Sequence, residues 1–473
     1  MSNAQPPLLA HATRDLAAFA ANLKFGDIPR VAIERIKYCA LDSIGCCLFG
    51  VTLPWTRHVQ AMVEEEGAKP IASIFGSGRR TTVAHAVLVN STAGHAFELD
   101  DIHKESIVHP GSLATPVALA FAEAAGGAPG RDVITAMIAG YEVGTRVGNA
   151  ATMSLFLRGF HPQGTSGAFV AAATAGRMLK LDAGQMQHTL GIVGSQAGGL
   201  MAAQEGAMVK RFHSGRAAQS GVYSALLARR GFTGITDVLE APYGGYLSSL
   251  SDTPNPLRLT AGLGTVWETV NVGYKPHASV TSIHTALDAL ADLMRENQLK
   301  ADDIAKVEAG LSHMTHVHCA WEYKAQGVTA AQMNLYYGLA VIALDGMAFV
   351  DQYREDRLHD PKIFDFIRRI SARVDPRIEG MGAVFRHAAR VSVTTRDGRT
   401  LEREILHRRG SPENPLQPAD VEYKFRHVAR ACLTPANVDK VMQLVARLDT
   451  LDSTRELIAL LAAPTATRIT LSI

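Results

Sequence analysis

The chain has 473 residues, 47% of them hydrophobic and 19% charged, the proportions of a globular protein with room for two or three domains. Lys plus Arg number 47 against 45 Asp plus Glu, a net charge of +2, so the charge gives no reason to expect nucleic acid or an anionic membrane as partner. The five cysteines (Cys39, Cys46, Cys47, Cys319, Cys432) include no C-x-x-C pair, which argues against a disulfide framework, an iron–sulfur cluster or a cysteine-based zinc site.

The opening residues, MSNAQPPLLAHATRDLAAFA, lack a basic stretch followed by a long apolar one, and no apolar run reaches bilayer length; a cytoplasmic protein is expected. From residue 8 to about 250 the periodicity is helical, as in RVAIERIKYCALDSIGCCLFG, RDVITAMIAGYEVGTRVGNA and SGAFVAAATAGRMLKL. Frequent Ala and Gly predict close-packed helices, the central ones buried all round. Near residue 268 the texture changes: KVEAGLS and ARVSVTTRDGRTLEREI read as strands, with Asp397-Gly398 as a hairpin turn. The tail LTPANVDKVMQLVARL is again a helix, N-capped by Thr434 with Pro435 in its first turn. The predicted class is mainly α. Residues 1–268 and 415–473 form a large all-helical domain, and residues 269–414 form a smaller α+β domain.

Polar groups gather beside glycines at five places. ELDDIHKESIVHPG holds Glu98, Asp100, Asp101, His103, Glu105 and His109 between two apolar stretches. GFHPQGTSG carries His161, EGAMVKRFHSGRAAQSG carries Lys210, Arg211, His213 and Arg216, GYKPHASVTSIH carries Lys275, His277 and His284, and NLYYGLAVIALDG carries Tyr337. Singly, each has a plainer reading as a helix cap, a surface charge, a buried histidine or a core tyrosine. Together, imidazoles and cations at Gly-rich helix starts suit a substrate with several carboxylates. A metal on Asp100, Asp101, His103 and His109 is chemically open, but histidines six apart do not share a helix face, and the site is read as metal-free.

The chain has no P-loop, no G-x-G-x-x-G after a strand, no H-E-x-x-H and no G-x-S-x-G. What remains is acid–base chemistry by His, Lys, Tyr and Asp. A carbanion next to a carboxylate, stabilised by cations, is common to β-elimination of water, decarboxylation and epimerisation.

The run LDDIHKESIVHPGS, then FHPQGTSGAFVAAATAGRMLKLD, then MVKRFHSGRAAQSGVYSALLARRGFTG, then YKPHASVTSIHTALDAL resembles the MmgE/PrpD family, in order and spacing. That family includes 2-methylcitrate dehydratase, cis-aconitate decarboxylase and iminodisuccinate epimerase. The resemblance implies a large helical domain completed by the C-terminal helices, a smaller lid domain, a homodimer, an active site between the two domains and no cofactor. It implies His109 and His161 as acid/base groups and Lys210, Lys275 and Tyr337 as further catalytic residues, with Asp101 and His103 shaping the site. Glu98, Arg211, His213, Arg216 and His277 are the substrate-binding candidates. Glu98 stands where decarboxylases of the family carry aspartate, and Ile102 where many members carry threonine. The leading expectation is therefore a hydro-lyase that removes water from a 2-methylcitrate-like hydroxy polycarboxylate. Epimerisation of an imino- or amino-dicarboxylate and cis-aconitate-type decarboxylation are the alternatives, with an inactive carboxylate-binding homologue as the non-enzymatic one.

Overall fold

A computed structural model describes residues 11–464. Residues 1–10 and 465–473, which hold part of the N-terminal reading and the outer ends of the domain boundaries, lie outside the described residues. The first half runs α1 (Ala12–Asn22), α2 (Arg30–Gly50), α3 (Pro54–Glu66), a hairpin of β1 (Ala72–Ile74) and β2 (Arg79–Thr81), then α4 (Val83–Gly94). After the short strand β3 (Ile102–His103) come α5 (Gly111–Ala124), α6 (Gly130–Leu157), α7 (Gly167–Met178), α8 (Ala183–Gly194) and α9 (Val209–Ala228).

Small residues set this packing. Every residue of α7 from Gly167 to Gly176 is buried, which its Gly, Ala and Val side chains permit from all sides. A Cβ on Gly144 of α6 would lie 2.8 Å from the Val170 backbone nitrogen, so only glycine lets α6 and α7 approach this closely. Caps mark the starts: Thr82 accepts from His85 N ahead of α4, and Asp182 with Gln185 forms a capping box on α8.

The second half carries the main sheet. β4 (Val272–Gly273) pairs antiparallel with β3, Ile102 opposite Gly273 and His103 opposite Val272. β5 (Ile304–Leu311), β6 (Ile370–Val374), β7 (Ala389–Thr395) and β8 (Thr400–Ile405) form a sheet in the order β6-β5-β7-β8, with β5–β6 parallel and the other pairings antiparallel. Burial alternates along β7, as on a sheet with one face covered. The helix His284–Glu296 packs on β7 and β8. Asp397-Gly398 makes the β7–β8 turn, where Gly398 takes φ 89, a left-handed value that favours glycine.

The helices Pro418–Ala429 and Pro435–Ala446 return to pack on α2. Thr434 caps the second by accepting from Asn437 N, with Pro435 in the first turn. The fold is mostly helical with small sheets. Its apolar residues form two main cores, one from α1, α2 and α4–α9 with the C-terminal helices and one around the four-stranded sheet. Phe97 and Leu99, from the turn after α4, belong to the second core, so Glu98 between them lies at the seam. Among the described residues no single helix is long and apolar enough to cross a membrane.

Candidate active site

The turn after α4 is built around one carboxylate. Glu98 has φ 53, a left-handed conformation that a side-chain-bearing residue holds only when its surroundings compensate. The surroundings are three cations. Its buried carboxylate accepts from Lys210 Nζ, from Arg211 Nη1 at 2.6 Å and from Lys275 Nζ at 3.2 Å. Lys210 and Arg211 come from the first turn of α9 and Lys275 from just past β4, so the β3–β4 pairing brings distant segments to one point. Burial alone would raise the Glu98 carboxyl, but Lys210, Lys275 and Arg211 outweigh it and hold it well below the usual carboxylate range. Burial pushes the Lys210 ammonium down to about 8, against the pull of Glu98, with Arg211 and Lys275 adding repulsion.

A row of imidazoles runs beside this cluster. Asp100, fully buried, lies 2.8 Å from His95 Nδ1 and 3.3 Å from His109 Nδ1. Burial would raise its carboxyl, and His109 and His95 together hold it well below normal. The His95 ring sits 4.8 Å from that of His109 and 5.7 Å from that of His161, centre to centre. One of His161 and His213 donates to the other across 2.9 Å between their Nδ1 atoms. Burial lowers His95 to about 4 despite Asp100. Burial also drives His161 well below the ordinary imidazole value, with His95, Lys210 and His213 adding to the effect. His161 is therefore a neutral imidazole at neutral pH.

Gln163 joins two of the sequence motifs. Its Oε1 accepts from His109 N at 2.8 Å and its Nε2 donates to His109 O at 3.1 Å, which fixes the H-P-G run against the F-H-P-Q run. Asp101 supports the glycine that ends the same H-P-G run. It accepts from Gly111 N at 2.9 Å and from the Tyr141 hydroxyl at 2.8 Å, pinning the start of α5. Burial and then Asp42 push its carboxyl up to about 8, against those two donors.

Glu98, His109, His161, Lys210 and Lys275 line one cavity of about 90 Å³, with Ile102 as part of its apolar wall. Arg211 and His213 stand directly behind it through Glu98 and His161. The structure does not bring the other predicted residues to this cavity. His103 turns away to Glu268, 3.0 Å off, and faces an adjoining hollow of about 830 Å³. His277 pairs with Asp288 at 3.0 Å and packs on His284. Arg216, five residues past Arg211 and so about 140° round the helix, is exposed and bonds Gln219 Oε1 at 2.6 Å. Tyr337 packs between Tyr323 and Tyr353 in the core around the sheet and donates to Gln352 O at 2.5 Å. Reading the sequence missed His95, the bridging position of Asp100, and Gln163. The available signal was a lone histidine closing an apolar helix directly after Gly94.

His95, Asp100 and His109 bring one ligand atom each within 4.8 Å of one another, a His–Asp–His set whose chemistry would accept zinc, manganese or iron. His95 Nδ1 and Asp100 Oδ2 are also hydrogen-bonded to each other at 2.8 Å.

The family model described as MmgE/PrpD N-terminal domain matches residues 14–257, and that described as MmgE/PrpD C-terminal domain matches residues 277–450. A cis-aconitate decarboxylase of Aspergillus terreus is 32% identical over 475 residues, which cover 96% of each chain. A cis-aconitate decarboxylase-like protein of Aspergillus oryzae is 30% identical over 470 residues, covering 95% of this chain and 97% of its own. The cis-aconitate decarboxylase of Homo sapiens is 26% identical over 471 residues, covering 97% and 96%.

Proposed function

The chain belongs to the MmgE/PrpD family, and from that premise we propose that it is a lyase that decarboxylates a small unsaturated tricarboxylate of the cis-aconitate kind. The relatives that align end to end are named for cis-aconitate decarboxylation. That moves the reading from the hydro-lyase expected first to the decarboxylase held beside it.

In such an acid the carboxylate on the methylene arm is β,γ-unsaturated. Loss of CO2 breaks the bond between that carboxylate carbon and the methylene. The released pair forms a new double bond to the central carbon, and the old double bond moves its pair onto the carbon beside the other terminal carboxylate, as an enediolate. One proton added there completes a 2-methylene dicarboxylate. Lys210, its ammonium lowered to about 8, supplies that proton near its working pH. Lys275 and Arg211 stabilise the enediolate charge. Neutral His161 and the Asp100-held His109 bind and orient the carboxylates, with Ile102 against the hydrocarbon.

The observation that carries this reading is the convergence of Lys210, Arg211 and Lys275 on one buried carboxylate beside an uncharged histidine. Purified protein given cis-aconitate in D2O is expected to release CO2 and to form a terminal methylene seen by NMR, with one deuterium on the carbon next to a carboxylate. Water loss from methylcitrate isomers, read as conjugated-alkene absorbance, with no CO2 from cis-aconitate, would return the reading to dehydration.

A further inference from the structure

The cavity has a second charged wall, of which only Lys104 comes from a recognised motif. Besides Lys210 and Lys275 it is lined by Lys104, Arg386 and Arg408, with His387 among them, and among the described residues Glu98 is the sole carboxylate on its lining. Glu98 is already engaged by Lys210, Lys275 and Arg211. Among the described residues the other three cations make no hydrogen bond to a carboxylate. Lys104 donates to Val384 O at 3.0 Å, Arg386 to Lys104 O at 2.9 Å and Ala383 O at 3.3 Å, and Arg408 to Tyr274 O at 2.7 Å and Arg409 O at 3.4 Å. Arg386 Nε is buried without a hydrogen-bond partner. The nearest carboxylate to Lys104 is Glu413, at 4.0 Å. Asp288 and then Glu413 attract Arg408, and Asp288 is itself bonded to His277 and to Arg409 N.

Three cations gathered in one partly buried place repel one another and lose hydration, a costly arrangement unless an anion joins them. The mutual repulsion is visible in their surroundings. Burial lowers Lys104, Glu413 opposes it in part, and Arg386 and Arg408 lower it further. Burial lowers His387 well below its ordinary value, and the same three cations add to it. The backbone carbonyls hold the guanidinium groups in place, which leaves their remaining N–H groups to a ligand. Bidentate pairing of arginine with a carboxylate is the chemistry such a fork favours.

We propose that Arg386, Arg408 and Lys104 form a second carboxylate subsite, which takes a terminal carboxylate of the substrate while Lys210 and Lys275 act on the other end. The assignment rests on the polycarboxylate reading above and adds to it the residues that select a third carboxylate. Lys104, Met314 and Arg386 line both the cavity and the adjoining 830 Å³ hollow, so this subsite also stands at the wall a substrate passes.

The test is calorimetric binding of the unreactive saturated acid propane-1,2,3-tricarboxylate, beside succinate, to the intact wild type and to Arg386→Gln and Lys104→Gln. Lys104→Gln guards against misfolding, because the Lys104 side chain is partly exposed and its ammonium hydrogen-bonds only the Val384 carbonyl, with Glu413 4.0 Å away. Loss of one charge-assisted contact is expected to weaken the tricarboxylate about tenfold to a hundredfold in Arg386→Gln and less in Lys104→Gln, with succinate changed by less than about threefold in both. Wild-type binding of the tricarboxylate with no weakening in either variant overturns the subsite and leaves the proposed function standing. Equal weakening of tricarboxylate and succinate also overturns it, since general electrostatics then explains the effect. Absence of any polycarboxylate binding by the wild type overturns the proposed function together with the subsite.

Discussion

Two of the buried lysine–carboxylate centres among the described residues differ in stoichiometry. Lys424, on the helix Pro418–Ala429, meets Asp42 of α2 at 2.6 Å and also donates to Leu99 O. Here one cation faces one anion. Burial lowers the Lys424 ammonium, but Asp42 more than offsets it and the group ends above its usual value, so it stays charged at any ordinary pH. At Glu98 three cations share one anion, and Lys210 is left at about 8. The balanced pair joins a C-terminal helix to α2. The unbalanced one holds a proton loosely enough to give it away. The excess of like charge at Glu98 is what leaves Lys210 lowered and Lys424 not, as the proton-donor role proposed for Lys210 requires.

The largest expected effects set these two lysines against each other. Lys210→Met is expected to lower kcat by about a thousandfold, within the range for loss of a positioned proton donor, while the melting temperature holds because Lys275 and Arg211 still compensate Glu98. Lys424→Met is expected to do the reverse. It strands Asp42 in the core at a cost of about 3–5 kcal/mol, seen in denaturant unfolding, with kcat per folded molecule unchanged. A pair of variants behaving alike in both assays would erase the distinction.

Next in size is Asp100→Asn. An amide cannot hold His95 and His109 as the carboxylate does, so kcat is expected to fall by about a hundredfold. The same variant sharpens the question of a metal. If Asp100 only orients histidines, chelator treatment leaves wild-type turnover unchanged; if His95, Asp100 and His109 hold an ion, chelation abolishes turnover and added zinc or manganese restores it. Glu98→Gln follows, with an expected loss of about tenfold near pH 8. Lys210 loses its proton as pH rises through about 8, so kcat falls on the alkaline side. Glu98 is the group that raises the Lys210 value against burial. Its removal lowers that value further, and the alkaline limb of the kcat profile moves to lower pH. A limb that moves up or stays would remove Lys210 as the donor.

How much of this was legible follows from where the information lies along the chain. The Asp397-Gly398 turn and the Thr434-Pro435 helix start were readable because a few adjacent residues decide each. His109, His161, Lys210 and Lys275 stood out because each sits in a dense polar motif at the end of an apolar element. The second wall was not readable in the same way. Arg386-His387 precedes β7 and Arg408 follows β8, in stretches with no pattern beyond ordinary surface charge, and only the β5–β7–β8 pairing carries them towards Lys104. His95 was passed over because one imidazole after a helix normally caps or packs. Its weight comes from Asp100 and His161, which approach it only when the turn closes.

Tyr337 gives the smallest effect and the sharpest question about the seam between the two cores. The family resemblance puts it among the catalytic groups, yet its ring is packed with Tyr323 and Tyr353, and its hydroxyl bonds Gln352 O. Burial, with Tyr353 and Tyr323 adding to it, raises the phenol far above its ordinary value, so it stays protonated at any working pH. Tyr337→Phe removes one neutral hydrogen bond and no ring contact. The expected result is about 1 kcal/mol less stability and a kcat within about threefold of wild type. A kcat loss of a hundredfold at unchanged stability would instead mean that the sheet-bearing core shifts during turnover and brings this hydroxyl to the substrate, in which case the seam around Glu98 is a moving part and not a fixed wall.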